Sequence, residues 1–334
     1  MQKNDNGGIV LIKKVIAAVS LFVVFLVTFA AGVSCIVKGL GEFSWDKISE
    51  YVSLSNIVKI NDEPITELFD FSDNSKLVDS HAEGKITCPT NSGKIEIKDV
   101  PAHATVVASE DEYIHVTFDG KIRESCVVDS ANNLTGTNVP NMEFRYNETS
   151  DEAVIRFKKL RAKDDYPEMT IAIPSSFGGE LKISDIAGKI DGEISISLDK
   201  LSADDIAGKV ILSGISAKEF KASNIAGELD FSSGRFNYFK VSNAAGKINV
   251  EGSVGYFEIS DIMGNVDIES DKSITSDCKI NDVMGNVKIT LPEGSRVNVN
   301  QSDILGKVWV ENNSTSADYT IKVSNIMGKV TISN

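Results

Sequence analysis

One seven-residue phrase, written eight times, constrains this chain more than any other feature. It reads SDIAGKI at Ser184–Ile190, DDIAGKV at Asp204–Val210, SNIAGEL at Ser223–Leu229 and SNAAGKI at Ser242–Ile248. It continues as SDIMGNV at Ser260–Val266, NDVMGNV at Asn281–Val287, SDILGKV at Ser302–Val308 and SNIMGKV at Ser324–Val330. The glycines, Gly188, Gly208, Gly227, Gly246, Gly264, Gly285, Gly306 and Gly328, follow one another at intervals of 20, 19, 19, 18, 21, 21 and 22 residues. A fixed period of this size marks a stacked architecture, in which each unit buries its apolar face only against its neighbours.

The residues after each glycine say what the unit is. Lys247-Ile248-Asn249-Val250 and Asn286-Val287-Lys288-Ile289 alternate polar and apolar, a period of two and therefore strand. From Pro174 onward Pro292 is the only other proline, as long unbroken ladders require. The expected fold is all-β: a single-strand right-handed parallel β-solenoid of about eight coils with an N-terminal strand-rich cap, preceded by one transmembrane helix. Eight coils at about 4.8 Å each make a rod of roughly 38 Å.

Two columns are expected to face the core. One stands two before glycine: Ile186, Ile206, Ile225, Ala244, Ile262, Val283, Ile304 and Ile326. The other stands two after it: Ile190, Val210, Leu229, Ile248, Val266, Val287, Val308 and Val330. The glycine itself permits a bend or a close backbone approach that a Cβ would block. The residue just before glycine is Ala187, Ala207, Ala226 and Ala245, then Met263, Met284, Leu305 and Met327. Coil length rises over the same stretch, so this column is expected to turn inward and fill a wider core.

The N-terminal region reads differently. Val15 to Val37 is 23 residues without a charge, long enough to cross a hydrocarbon layer of about 30 Å. Lys3, Lys13 and Lys14 against Asp5 leave its N-terminal flank positive, which favours a cytoplasmic N-terminus and an extracytoplasmic remainder. The run is too long for the apolar core of a cleaved signal peptide. The expected division is a cytoplasmic tail at 1–14, a membrane helix at 15–37, a juxtamembrane linker at 38–85, a strand-rich lead-in and cap at 86–180, and solenoid repeats at 181–334. The lead-in contains a hairpin from Met142 to Phe157 turning at Asn147–Asp151.

Net charge is −14, which excludes a nucleic acid partner held by clustered lysines and arginines. The expected partners are the lipid bilayer, through residues 15–37, and a cell-envelope glycan or protein. The four cysteines, Cys35, Cys88, Cys126 and Cys278, lack zinc spacing. Cys88 and Cys126 could bridge in an oxidising compartment. The column three before glycine, Asp185, Asp205, Asn224, Asn243, Asp261, Asp282, Asp303 and Asn325, is expected to form a ladder of turn residues. Its other reading is a cation or sugar site at Asp261, Asp282 and Asp303. His81, His103 and His115 precede the repeats, which leaves no histidine-dependent centre within them. No catalytic, cofactor-binding or metal-binding residue is assigned, and no cofactor.

The phrase MTIAIPSSFGGELKIS at Met169–Ser184, the strand-rich lead-in and the serial S-[DN]-I-x-G-[KN]-[IV] coils resemble the bacterial "putative adhesin" domain family. The resemblance covers roughly 86–334. It implies an extracytoplasmic β-solenoid tethered in a bacterial membrane, with no catalytic residues to carry over. The function expected from it is a non-enzymatic binding, scaffolding or envelope-sensing module. A polysaccharide-active β-helix enzyme of lyase or glycosidase type is the alternative.

Overall fold

A computed structural model describes residues 59–60, 63–64, 75–129, 133–159 and 168–334. The chain divides into two compact units, Met1–Asn74 and Ser75–Asn334. Of the first, the described part is a short antiparallel pair, Lys59–Ile60 with Glu63–Pro64. The expected membrane helix at 15–37 lies outside the described residues. Among those described, no helix is long and apolar enough to cross a membrane.

The second unit is the solenoid. Each coil gives one strand before the glycine corner and one after it, and equivalent strands of successive coils pair in parallel. The alternation of the sequence becomes the burial pattern directly: Lys209–Ser213 points Val210 and Leu212 inward, and both are buried. Ile186, Ile206, Ile225, Ala244, Ile262, Val283 and Ile326 are buried as expected, and so are Ile190, Val210, Leu229, Ile248, Val266, Val287 and Val330. Between the corners the middle coils are filled by phenylalanines, with Phe220 stacked on Phe239 at 4.9 Å and edge-on to Phe231 at 5.0 Å.

The parallel stack has ten layers, two more than the phrase marks. Lys94–Lys98 pairs with Glu180–Ile186, and His103–Ser109 pairs with Lys189–Glu193. Residues 94–109 therefore form a coil beneath the first repeat. On its other side lie Glu152–Lys159 and Glu168–Pro174. This end is then closed by antiparallel strands. Asn141–Asn147 covers Glu152–Lys159 in the expected hairpin, Tyr113–Arg123 covers Glu168–Pro174, and Leu77–Thr87 pairs with Tyr113–Arg123.

At the other end the coils do not stack in sequence order. The strands Cys278–Val283 and Asn286–Thr290 pair with Thr320–Ile326 and Lys329–Ser333, the last strands of the chain. The preceding coil, Asn298–Ile304 and Lys307–Val310, lies outside these. The final coil is thus inserted between its two predecessors, and 298–310 becomes the end layer. Ile304 and Val308 are accordingly only partly buried, although both belong to inward columns.

Because Ile206 is sealed between layers above and below, Ile206→Asp places an unpaired charge in a dry stack. It should cost several kcal/mol in a denaturant titration. An unchanged midpoint would mean that this column does not form the core.

Candidate functional surface: the glycine corner

The corner is built from four consecutive positions with distinct duties. The Asp or Asn three before glycine adopts a left-handed backbone at every repeat, with φ between 52° and 57° from Asp185 to Asn325. Asn and Asp tolerate this region better than other residues with a Cβ. That is why the column holds only these two types. Asp99, at φ 51°, occupies the same position in the coil below.

The glycine meets a harder constraint. A Cβ on Gly227 would lie 1.9 Å from the carbonyl oxygen of Gly208, and one on Gly285 would lie 1.9 Å from that of Gly264. These contacts are with backbone, so no rotamer relieves them. The close approach accompanies a paired hydrogen bond. Ala226 N and Gly227 N both donate to the carbonyl of Ile206, at 2.9 and 3.0 Å, and Glu228 N continues to Gly208 O at 3.0 Å. The same arrangement carries Met327 N and Gly328 N onto Val283 O, and Leu305 N and Gly306 N onto Ile326 O. The ladder therefore turns the corner without a break.

The pre-glycine column points out, contrary to the expectation of a filled core. Met284 is 41% exposed, Met327 62% and Leu305 86%. The extra chain of the longer coils goes elsewhere. Glu269 lies ten residues before Lys279, while the equivalent Glu251 lies seven before Glu258. The added residues belong to the third side of the coil, where Ile274, Leu291 and Val297 are buried. The corner keeps one geometry whatever the coil length, and its outward position carries Ala in early coils and Met or Leu in late ones.

The inverted end also breaks the suggested trio of carboxylates. Asn325 sits between Asp282 and Asp303 in the stack and donates from Nδ2 to Asp282 Oδ1 at 3.0 Å. Neighbouring Asx side chains of the column are linked elsewhere too, as with Asn243 Nδ2 donating to Asn224 Oδ1 at 3.5 Å. No three His, Cys, Asp or Glu side chains converge to hold a metal ion among the described residues.

His103 corrects a second expectation. It lies in a solenoid coil, and its Nε2 is 2.9 Å from Asp191 Oδ1 of the first repeat. Asp191 also accepts from Thr105 and pairs with Lys189. Burial pulls its carboxyl up, and the bonds from Lys189 and His103 outweigh that and hold it below the usual range. This set of partners fixes charges on a sheet face. His81 and His115 lie in the cap strands and pair with Asp119 and Asp111. Elsewhere Glu96, nearly buried, takes the Lys182 ammonium at 3.0 Å. Burial raises its carboxyl, but Lys182 and Lys98 prevail and keep it low.

Tyr238 and Tyr256 stack at 4.8 Å, each covering a face of the other, and burial beside Glu258 pushes the Tyr256 hydroxyl up to about 12. A shallow depression of about 260 Å³ in the cap is lined by Lys85, Thr87, Tyr113, Asn133 and Tyr146. Lys85 rests over the Tyr113 ring at 4.4 Å and so occupies that ring's face. Cys88, Cys126 and Cys278 are free thiols, so Cys88 and Cys126 are not bridged. Burial pushes the Cys278 thiol up to about 12, which leaves it protonated and unreactive at neutral pH.

Two substitutions separate the duties at the corner. Gly227→Ala drives a methyl into backbone and should lower stability by several kcal/mol. Met284→Ala should change it by less than about 0.5 kcal/mol, since the side chain is exposed. Met284 and Met327 should also oxidise rapidly with peroxide in the folded protein, as peptide mass mapping would show. A large loss from Met284→Ala, or methionines protected until unfolding, would return the column to the core.

Comparison with known proteins follows the same residues. The sequence pattern of Toastrack DUF4097 matches residues 92–333. A solved structure of a "putative adhesin" from Bacteroides fragilis aligns at 13% identity over 78% of this chain and 98% of its own, with a TM-score of 0.46. A "putative adhesin" from Parabacteroides merdae aligns at 16% identity over 78% and 97%, with a TM-score of 0.30. A "putative cell adhesion protein" from Clostridium sporogenes aligns at 13% identity over 77% and 99%, with a TM-score of 0.30. No curated protein matches the chain. The family pattern spans both the repeats and the coil at 94–109 that lacks the phrase, and on that span the chain belongs to the Toastrack DUF4097 family.

Proposed function

We propose that this protein is a membrane-tethered, extracytoplasmic solenoid that works as a non-enzymatic binding and scaffolding module of the cell envelope. The observation that carries this reading is the uniformity of the stack. Each repeat presents the same corner, and the variable outward position becomes large and apolar in the late coils. A catalytic site draws unlike groups together in a cleft. A partner surface is built by repeating one position along a rigid edge. Large apolar side chains held outward suit a protein partner better than a glycan, whose hydroxyls ask for polar contacts.

The tether rests on the uncharged run from Val15 to Val37 and its lysine flank.

Two measurements test the reading. Protease added to intact protoplasts should remove residues C-terminal to the membrane run, and full protection would place the solenoid on the wrong side. The detergent-solubilised full-length chain should leave acidic and neutral envelope polysaccharides intact. Release of reducing ends or unsaturated uronates would establish the enzyme alternative instead.

A further inference from the structure

The two ends of the stack are finished differently. The N-terminal end is closed by antiparallel strands, whereas the strand Lys307–Val310 of the end layer pairs only with Lys329–Ser333 among the described residues. Its other edge is open. Lys307 N donates to Gly328 O and Glu311 N to Ile332 O, so the odd-numbered peptide groups face the stack. By the alternation of a strand, the N–H and C=O of Val308 and Val310 point away from it. An edge of this kind is a template for another strand.

The neighbouring strand of the same layer is blunted. Gln301 stands in the inward column that holds Ile259, Ile280 and Val323 in the layers below, and this polar residue ends it. The strand at 307–310 has no such terminator. Val308 and Val310 pack against the core but are only partly buried, and Trp309 between them is 44% exposed.

The sequence across this edge is Lys307-Val308-Trp309-Val310-Glu311, and it is complementary to itself read backwards. Antiparallel pairing centred on Trp309 places Val308 opposite Val310 of the second chain. These are the residues whose peptide groups face outward, so each such pair exchanges two hydrogen bonds. Lys307 falls opposite Glu311 of the second chain, and the two tryptophans meet in the closer, non-bonded register. Lys307 has no ion-pair partner among the described residues, although Lys189, Lys209 and Lys247 of the same column each have one. Glu311 keeps one oxygen on the backbone N–H of Asn334.

We infer that the protein forms a two-fold dimer, end to end, by antiparallel pairing of the Lys307–Val310 strand with the same strand of a second copy. The interface is isologous, so each favourable pair occurs twice and the association closes at two chains. The Leu77–Thr87 strands, where each chain enters its cap, then lie at the far ends of the pair.

The test measures the mass of the full-length chain in a mild detergent by light scattering across concentration, with four variants. Val310→Pro removes an outward N–H without touching the bonds to Lys329–Ser333, and proline is tolerated at such edge positions. It should give a monomer with an unchanged melting temperature. Lys307→Glu and Glu311→Lys each set like charges face to face twice and should raise the dimer Kd about tenfold. The double variant carrying both reversals restores opposite charges and should recover most of the affinity. This charge exchange stands even if Val310→Pro fails to fold. A parent monomeric up to about 100 μM would overturn the proposal. So would a dimer indifferent to all four variants, or a monomer that binds phospholipid vesicles through Trp309.

Discussion

The whole stack depends on one contact between backbones. From Gly208 onward the carbonyl of one corner glycine occupies the space where its stacked neighbour's side chain would begin, with Gly208 O at 1.9 Å from the missing Cβ of Gly227. That proximity lets two successive N–H groups share the carbonyl two residues before the glycine beneath. A parallel sheet usually ends where the chain bends, and its edge groups turn to water. Here the ladder is carried round the bend, so the strands on both sides belong to one hydrogen-bonded surface. The left-handed Asx residue supplies the turn, the inward Ile or Val anchors it, and the outward position beside the glycine is left free of structural duty. Freedom at that one position is what allows alanine early and methionine late.

Much of this was legible in the sequence, for a physical reason. A stacked repeat puts the same residue in the same surroundings in every coil, so the inward columns from Ile186 and Ile190 onward could be read without coordinates. The glycine column could also be read as a close approach. The pre-glycine column could not, because coil length alone does not say which side of the coil takes up the extra chain. The third side did, around Ile274 and Leu291.

Layer order was hidden for a related reason. Every coil carries the same phrase, and the phrase holds no address. The phrases at 302–308 and 324–330 are alike, and it is the later coil, 320–333, that sits on 278–290. In retrospect Gln301, polar in an apolar column, and Leu305 with Trp309, large and outward, distinguish the end layer. The coil at 94–109 is legible only as a degenerate echo, Gly93-Lys94-Ile95, because Lys98-Asp99-Val100-Pro101-Ala102-His103 keeps the turn residue and the inward Val while replacing the glycine by alanine. Gly188, stacked on Ala102, keeps the close approach, since a Cβ there would lie 2.1 Å from the carbonyl oxygen of Ala102. His103 precedes the repeats in sequence yet lies within the parallel stack.

The claim that the corner ladder runs from Gly285 to Gly328 and then to Gly306 can be tested by thiol cross-linking of outward positions in one column. Lys288 and Thr331 lie in adjacent layers, about 4.8 Å apart, and Lys288 and Trp309 lie two layers apart, at about 9.6 Å. With cysteine at 288 and 331, a disulfide or a shortest-length cross-link should form quickly in the folded protein. With cysteine at 288 and 309 it should not. Efficient trapping of the 288–309 pair and failure of the 288–331 pair would mean that the coils stack in sequence order, and would contradict the account.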